Sequence, residues 1–285
     1  MLIDEIRMNV RLAAYTVLAM MAFAANSLLC RLALKDTSID AASFATVRIL
    51  SGAMVLWLVT RFHVQTHGNH GSWRGAIALF IYVAAFSFAY LSLSAGTGAL
   101  LLFGAVQTTM ILAGFIAGER MRKLQSAGFI AALAGLVILV LPSVATPTLA
   151  GSALMIISGI AWGMYSLFGR GVIDPTAVTA GNFIRAVPFS IALSLLALPW
   201  MKLDVTGLLY AVLSGALTSG LGYVLWYRIL QRMRAITAAT VQLSAPVLAA
   251  LGGVILLSEV LTQSLLIASV LILGGISLVL RFDKM

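Results

Sequence analysis

The chain has 285 residues, 61% of them hydrophobic and only 9% charged, with a mean hydropathy of +1.06. A globule of this length cannot hide so much apolar surface, which excludes the soluble classes and leaves a polytopic membrane protein. The formal charge of +9 lies in short runs between apolar segments; that pattern reads as loop charge on one side of a bilayer, not as a face for nucleic acid.

A helix needs about 20 apolar residues to cross about 30 Å of hydrocarbon, and ten segments approach or meet that length. Span one, 12–34, carries Phe23, Asn26 and the single cysteine, Cys30, read as a small packing residue. "AFA" at 22–24 resembles a signal-peptidase site, but nine apolar segments follow and this span is expected to be retained. Span two, 40–60, holds Arg48 about eight residues in, roughly 12 Å along the axis. The stretch from Arg61 to Arg74 is long enough to be a real loop. His63, His67 and His70 within it have a spacing compatible with metal, but a solvated loop is the simpler reading and no metal is expected.

Span three, 74–94, sets Tyr82, Phe86 and Tyr90 at i, i+4 and i+8, one stripe of a helix. Span four, 97–117, contains Phe103 and Gln107 and runs into Glu119. Span five, 126–141, is short and extends toward Arg122. Span six, 149–169, carries Trp162 and Tyr165; span seven, 177–198, carries Arg185. Span eight, 206–229, contains Tyr223, Trp226 and Tyr227. Span nine, 235–257, contains Gln242 and Pro246 and runs into Glu259; span ten is 262–280.

With the N-terminus inside, thirteen cations fall on the inner side (Arg7, Arg11, Arg61, Arg74, Arg120, Arg122, Lys123, Arg170, Arg228, Arg232, Arg234, Arg281, Lys284) and three on the outer (Arg31, Lys35, Lys202). That bias predicts both termini in the cytoplasm.

The chain also repeats itself. Shifted by 140, residues 97–120 lie without a gap on 237–260: Thr97 meets Thr237, Ala99 meets Ala239, Ala105 meets Ala245 and Glu119 meets Glu259. Nearby shifts place "FAANSLLCR" (23–31) on "WGMYSLFGR" (162–170) and Arg48 on Arg185. Residues 1–145 and 146–285 thus read as two five-helix repeats. Five is odd, so the second crosses in the opposite sense, an arrangement found in secondary transporters.

"WG" at 162–163, "SAPV" at 244–247, and "LLSEVL" at 256–261 followed by Gln263 and Gly274 resemble the EamA-type branch of the drug/metabolite transporter superfamily, over the whole chain. The resemblance implies ten helices in two inverted five-helix repeats and export of small metabolites, often amino acids, across the bacterial inner membrane. The first half departs from the pattern, with Phe23-Ala24 where "WG" is usual and Val106-Gln107 where the second half has Pro246-Val247.

All nine carboxylates fall in loops or at helix ends, which disfavours the alternative function, a broad-specificity drug/metabolite exporter whose buried acid would alternate between a proton and a lipophilic cation. Glu119 and Glu259 are expected to end their helices and tie down the following turns; the alternative, a role in energy coupling, has no second feature behind it. Arg48 and Arg185 are expected to cap backbone carbonyls or snorkel; the alternative is attraction of a substrate carboxylate at each gate. Tyr90, Trp226 and Tyr227, near helix ends, read as interfacial belt. The remaining set, Phe23, Asn26, Tyr82, Phe86, Phe103, Gln107, Trp162, Tyr165, Tyr223 and Gln242, is expected to line a substrate cavity drawn from both halves. Its amides cannot be left unpaired in hydrocarbon, and Pro246 frees the Gln242 carbonyl mid-membrane. The absence of a "GxxxxGK[ST]" loop argues against ATP as the energy source, and no converging acid–base set suggests an enzyme. The expected partners are the bilayer and a small-molecule substrate, with no cofactor, no nucleic acid and function as a monomer.

Overall fold

The computed structural model describes residues 2–62, 71–93, 95–141, 148–256 and 261–282, with side chains for all of these but 2–10, 95, 96 and 256. In order they form α1 (Leu2–Asp36), α2 (Ala41–Arg61), α3 (Trp73–Ala89), α4 (Ala95–Ile116), α5 (Lys123–Val140), α6 (Leu149–Phe168), α7 (Pro175–Leu196), α8 (Val205–Leu213), α9 (Gly222–Leu230), α10 (Ala235–Gln242), α11 (Ser244–Leu256) and α12 (Gln263–Arg281). A π-helical stretch, Ser214–Leu221, joins α8 to α9 as one rod, span eight. α10 and α11 form span nine, interrupted at Leu243. Among the described residues nine helices are long and apolar enough to cross a membrane; the tenth, α3, is apolar but has only 17 residues. The histidine loop, Glu259 and the expected repeat boundary at 145 lie outside the described residues.

The scarce polar residues at the helix starts explain where helices begin. Asp40, Ser72, Thr148, Asp174, Asp204 and Thr262 each accept hydrogen bonds from first-turn N–H groups, satisfying donors that hydrocarbon cannot. Asp40 also accepts from the Lys202 N–H at 2.9 Å, joining two turns 162 residues apart. Burial pushes its carboxyl up, but the hydrogen bonds from Ser43, Lys202 and Ala42 outweigh this and hold it below the ordinary carboxylate range. Its contribution is complete above the ordinary carboxylate pKa and is lost as pH falls through the lowered one.

The most extensive helix contacts run between repeats: α5 with α12, α3 with α6, α2 with α7 and α4 with α6. Exchanging each span for the one five places away turns α3–α6 into span eight against α1, and α4–α6 into span nine against α1. Both of those pairs also touch. α2–α7, α4–α10 and α5–α12 exchange into the same pairs of spans, so they straddle a pseudo-two-fold axis. This is an inverted-repeat bundle.

Glycine permits the closest crossings. A Cβ on Gly128 of α5 would stand 2.6 Å from the Gly275 carbonyl oxygen of α12, and the reverse contact, Gly275 on Gly128, is tighter still. Between helices that gain nothing from hydrophobic exclusion in lipid, such backbone approach supplies the packing. The same device serves at Gly52 of α2, where an added Cβ would stand 2.9 Å from the Gly215 carbonyl oxygen on the π stretch, and so carries Arg48, one turn earlier, into the bundle.

Candidate functional site

Trp162 of α6 is the hub of a ring cluster built from both repeats. Its ring lies 5.2 Å from Phe23, 4.9 Å from Tyr82, 5.7 Å from Tyr165 and 4.7 Å from Tyr223, centroid to centroid. Phe86 extends the cluster along α3, 5.7 Å from Tyr82. The indole N–H donates to Gln242 Oε1 at 2.6 Å, and the Gln242 amide reaches back to Met110 Sδ at 3.1 Å. Gln107 donates to the Ala239 carbonyl at 2.8 Å, while its Oε1 has no hydrogen-bond partner. The Tyr165 hydroxyl is also buried without one; it lies near Tyr227, Asn182 and Thr179 but meets hydrogen-bonding geometry with none of them. Asn26 of α1 accepts from Ser214 at 2.7 Å and Thr218 at 3.3 Å, both on the π stretch. Pro246 is the third residue of α11, just past the interruption at Leu243, where its ring cannot donate toward the end of α10.

The structure therefore brings together Phe23, Tyr82, Phe86, Trp162, Tyr165 and Tyr223 in ring contact, with Gln242 bonded to the hub. Asn26 and Gln107 instead bond to the π stretch and to α10. Phe103 stands apart: it is half-buried on α4 and makes no ring contact among the described residues. Depth in the bilayer placed it with the others, but depth does not say which way a helix is turned.

Three expectations are corrected. Trp226 and Tyr227 are not belt residues: both are fully buried, Trp226 donating to Ser166 Oγ at 3.0 Å and Tyr227 to the Tyr165 carbonyl at 2.8 Å. Trp226 also packs on Phe23 at 5.6 Å. Arg48 neither snorkels nor caps its helix. It is 0% exposed and donates Nε to Ser219 Oγ (2.9 Å) and Nη2 to the hydroxyls of Tyr223 (2.8 Å) and Tyr82 (3.2 Å). Its sequence counterpart differs: Arg185 is half-buried, donates to the Gly181 carbonyl of its own helix at 3.1 Å, and lines a cleft of about 320 Å³ with Trp57, Arg61 and Asp174.

Glu119 is the third. Gly118, at φ +87°, ends α4 in the left-handed region that glycine tolerates, and the next residue turns across to the other repeat. Its carboxylate accepts from the N–H groups of Ala235 (2.9 Å) and Ile236 (3.1 Å) at the start of α10, and pairs with Arg170 at 3.2 Å. Glu119 thus joins the end of one half to two elements of the other, instead of tying down its own turn. Ser219, Cys30 and Phe183 are site neighbours that sequence alone did not reveal. Cys30 and Ser219 touch Arg48, and Phe183 lies 5.9 Å from Tyr223.

Comparison with known proteins agrees with this architecture. The model of the EamA-like transporter family matches twice, over residues 11–141 and 149–281. An uncharacterized protein of Pseudomonas aeruginosa is 55% identical over 266 residues, 93% of each chain. A probable amino-acid metabolite efflux pump of Salmonella typhimurium is 26% identical over 197 residues, 64% of this chain and 66% of its own. One crystal structure matches with a TM-score of 0.77 at 20% identity, covering 96% of this chain and 99% of that one, a likeness of fold alone. Two family matches that between them span nearly the whole of a ten-helix, two-repeat membrane bundle leave one assignment: the chain belongs to the EamA-like transporter family.

Proposed function

We propose that the protein is a secondary exporter of small metabolites, principally amino acids with apolar or aromatic side chains, across the bacterial inner membrane by alternating access. In this reading residues 1–145 and 146–285 are the two repeats, both termini are cytoplasmic, and one chain suffices. The observation that carries it is the cluster around Trp162: rings from α1, α3, α6 and α9 meet where the repeats meet, with the uncharged amide of Gln242 bonded to the hub. Apolar area with a few orienting polar groups suits a small substrate with a ring or aliphatic side chain. A phosphate or a sugar would call for several cations or many hydroxyls. The name of the Salmonella relative points the same way.

Cells producing the protein and fed a phenylalanine-containing dipeptide should release free phenylalanine several-fold faster than cells without it, and free alanine from an alanine dipeptide much less so. Equal release with and without the protein for both amino acids would count against the proposal.

A further inference from the structure

Arg48 is a cation without an anion. A guanidinium carries five N–H donors, and here every acceptor it meets is neutral: the Ser219, Tyr82 and Tyr223 hydroxyls, and the Cys30 sulfur 3.9 Å from Nη1. Nη1 has no oxygen acceptor among the described residues. No described carboxylate pairs with it; Asp36 is exposed at the end of α1, Asp40, Asp174 and Asp204 cap helices, and Glu119 holds the junction at α10. A desolvated, unpaired charge within the membrane is expensive to keep and marks a functional position. The guanidinium is also held in place, with the Tyr82 ring 5.3 Å and the Phe86 ring 5.9 Å from its central carbon. A planar fork so fixed, with one edge facing only a weak sulfur acceptor and the longer of two tyrosine bonds, matches the two oxygens of a carboxylate.

We propose that Arg48 is the carboxylate anchor of the substrate site. The substrate's carboxylate docks on the Nη1–Nη2 edge, displacing Tyr82 from Nη2, and its side chain lies against Tyr82, Phe86 and the Trp162 hub. The inference rests on the exporter reading and narrows it: the substrate must carry a carboxylate, and lipophilic cations are repelled by a guanidinium bonded to two of the cluster's tyrosines. Arg185 is half-buried and donates to its own helix, so the two repeats are chemically unequal at these corresponding positions.

Three compounds sharing one phenyl ring test the anchor by equilibrium binding to the purified full-length protein: L-phenylalanine, 3-phenylpropionate and 2-phenylethylamine. Wild type should bind the two carboxylates at least about thirtyfold more tightly than the amine, the worth of a pair of charge-assisted hydrogen bonds. Arg48→Gln should reduce that preference to about twofold and Arg48→Lys should keep part of it, because a point charge is retained but the fork is lost. Wild type that binds the amine as tightly as phenylpropionate overturns the anchor without need of any variant, so a poorly folding Arg48→Gln does not shield it. Full preference retained in Arg48→Lys and Arg48→Gln also overturns the anchor and leaves the exporter reading standing. Wild type that binds none of the three overturns both.

Discussion

Replacing Glu119 by glutamine is expected to open the junction between the repeats at the end of α4. The carboxylate accepts two backbone N–H groups at the start of α10 and meets Arg170, all from the second repeat. Glutamine keeps the size but turns one acceptor into a donor, which then faces a backbone donor. Arg170 is 31% exposed, so the ion pair itself is screened and contributes little. The buried N–H contacts to a charged acceptor are worth more, and losing them should cost about 2 kcal/mol, roughly a thirtyfold change in the ratio of joined to separated ends. Spin labels on cysteines placed at Ala117 and Arg232, in a Cys30→Ala background, should report a new long-distance population in Glu119→Gln and a smaller one in Arg170→Gln. An unchanged distance distribution in Glu119→Gln would mean that packing alone closes this end.

Trp162→Ala should change which substrates are handled as well as how much. The indole meets four rings and donates to Gln242, so its loss removes stacking area from any ring that takes its place among them. Each aromatic face adds about 0.5–1.5 kcal/mol to a stacked pair beyond area burial, up to roughly tenfold in affinity. Phenylalanine efflux should therefore fall up to about tenfold further than alanine efflux, in variants matched for membrane abundance. Trp162→Phe, which keeps a ring but loses the N–H to Gln242, should preserve most of the size preference. Equal loss of both substrates in Trp162→Ala would show that the ring packs the bundle and touches no substrate.

The spans were legible in the sequence because hydrocarbon thickness fixes their length; that Asp40, Thr148 and Asp174 set their starts by capping first-turn N–H groups emerged only from the structure. The repeat was legible because Glu119 and Glu259 stand at one offset in a chain poor in acids. The surroundings of Arg48 were not. Its partners Ser219 and Tyr223 are 171 and 175 residues away, and only the glycine-lined crossing of α2 with the π stretch brings them to it. Trp226 and Tyr227 were misplaced because distance from a span's end was used as depth. The contacts of α9 with α1 and α7 cover that end of span eight with protein. That Phe103 stands apart from the rings was not legible, because a uniformly apolar helix such as α4 gives no sign of which side faces lipid.

Export of apolar amino acids is tested most directly by flux through the purified protein. In proteoliposomes loaded with labelled L-phenylalanine, saturable efflux should run well above that of protein-free vesicles, competed by tryptophan and leucine and untouched by tetraphenylphosphonium. Efflux no faster than in protein-free vesicles, or transport of the lipophilic cation with phenylalanine left behind, would contradict the proposed function.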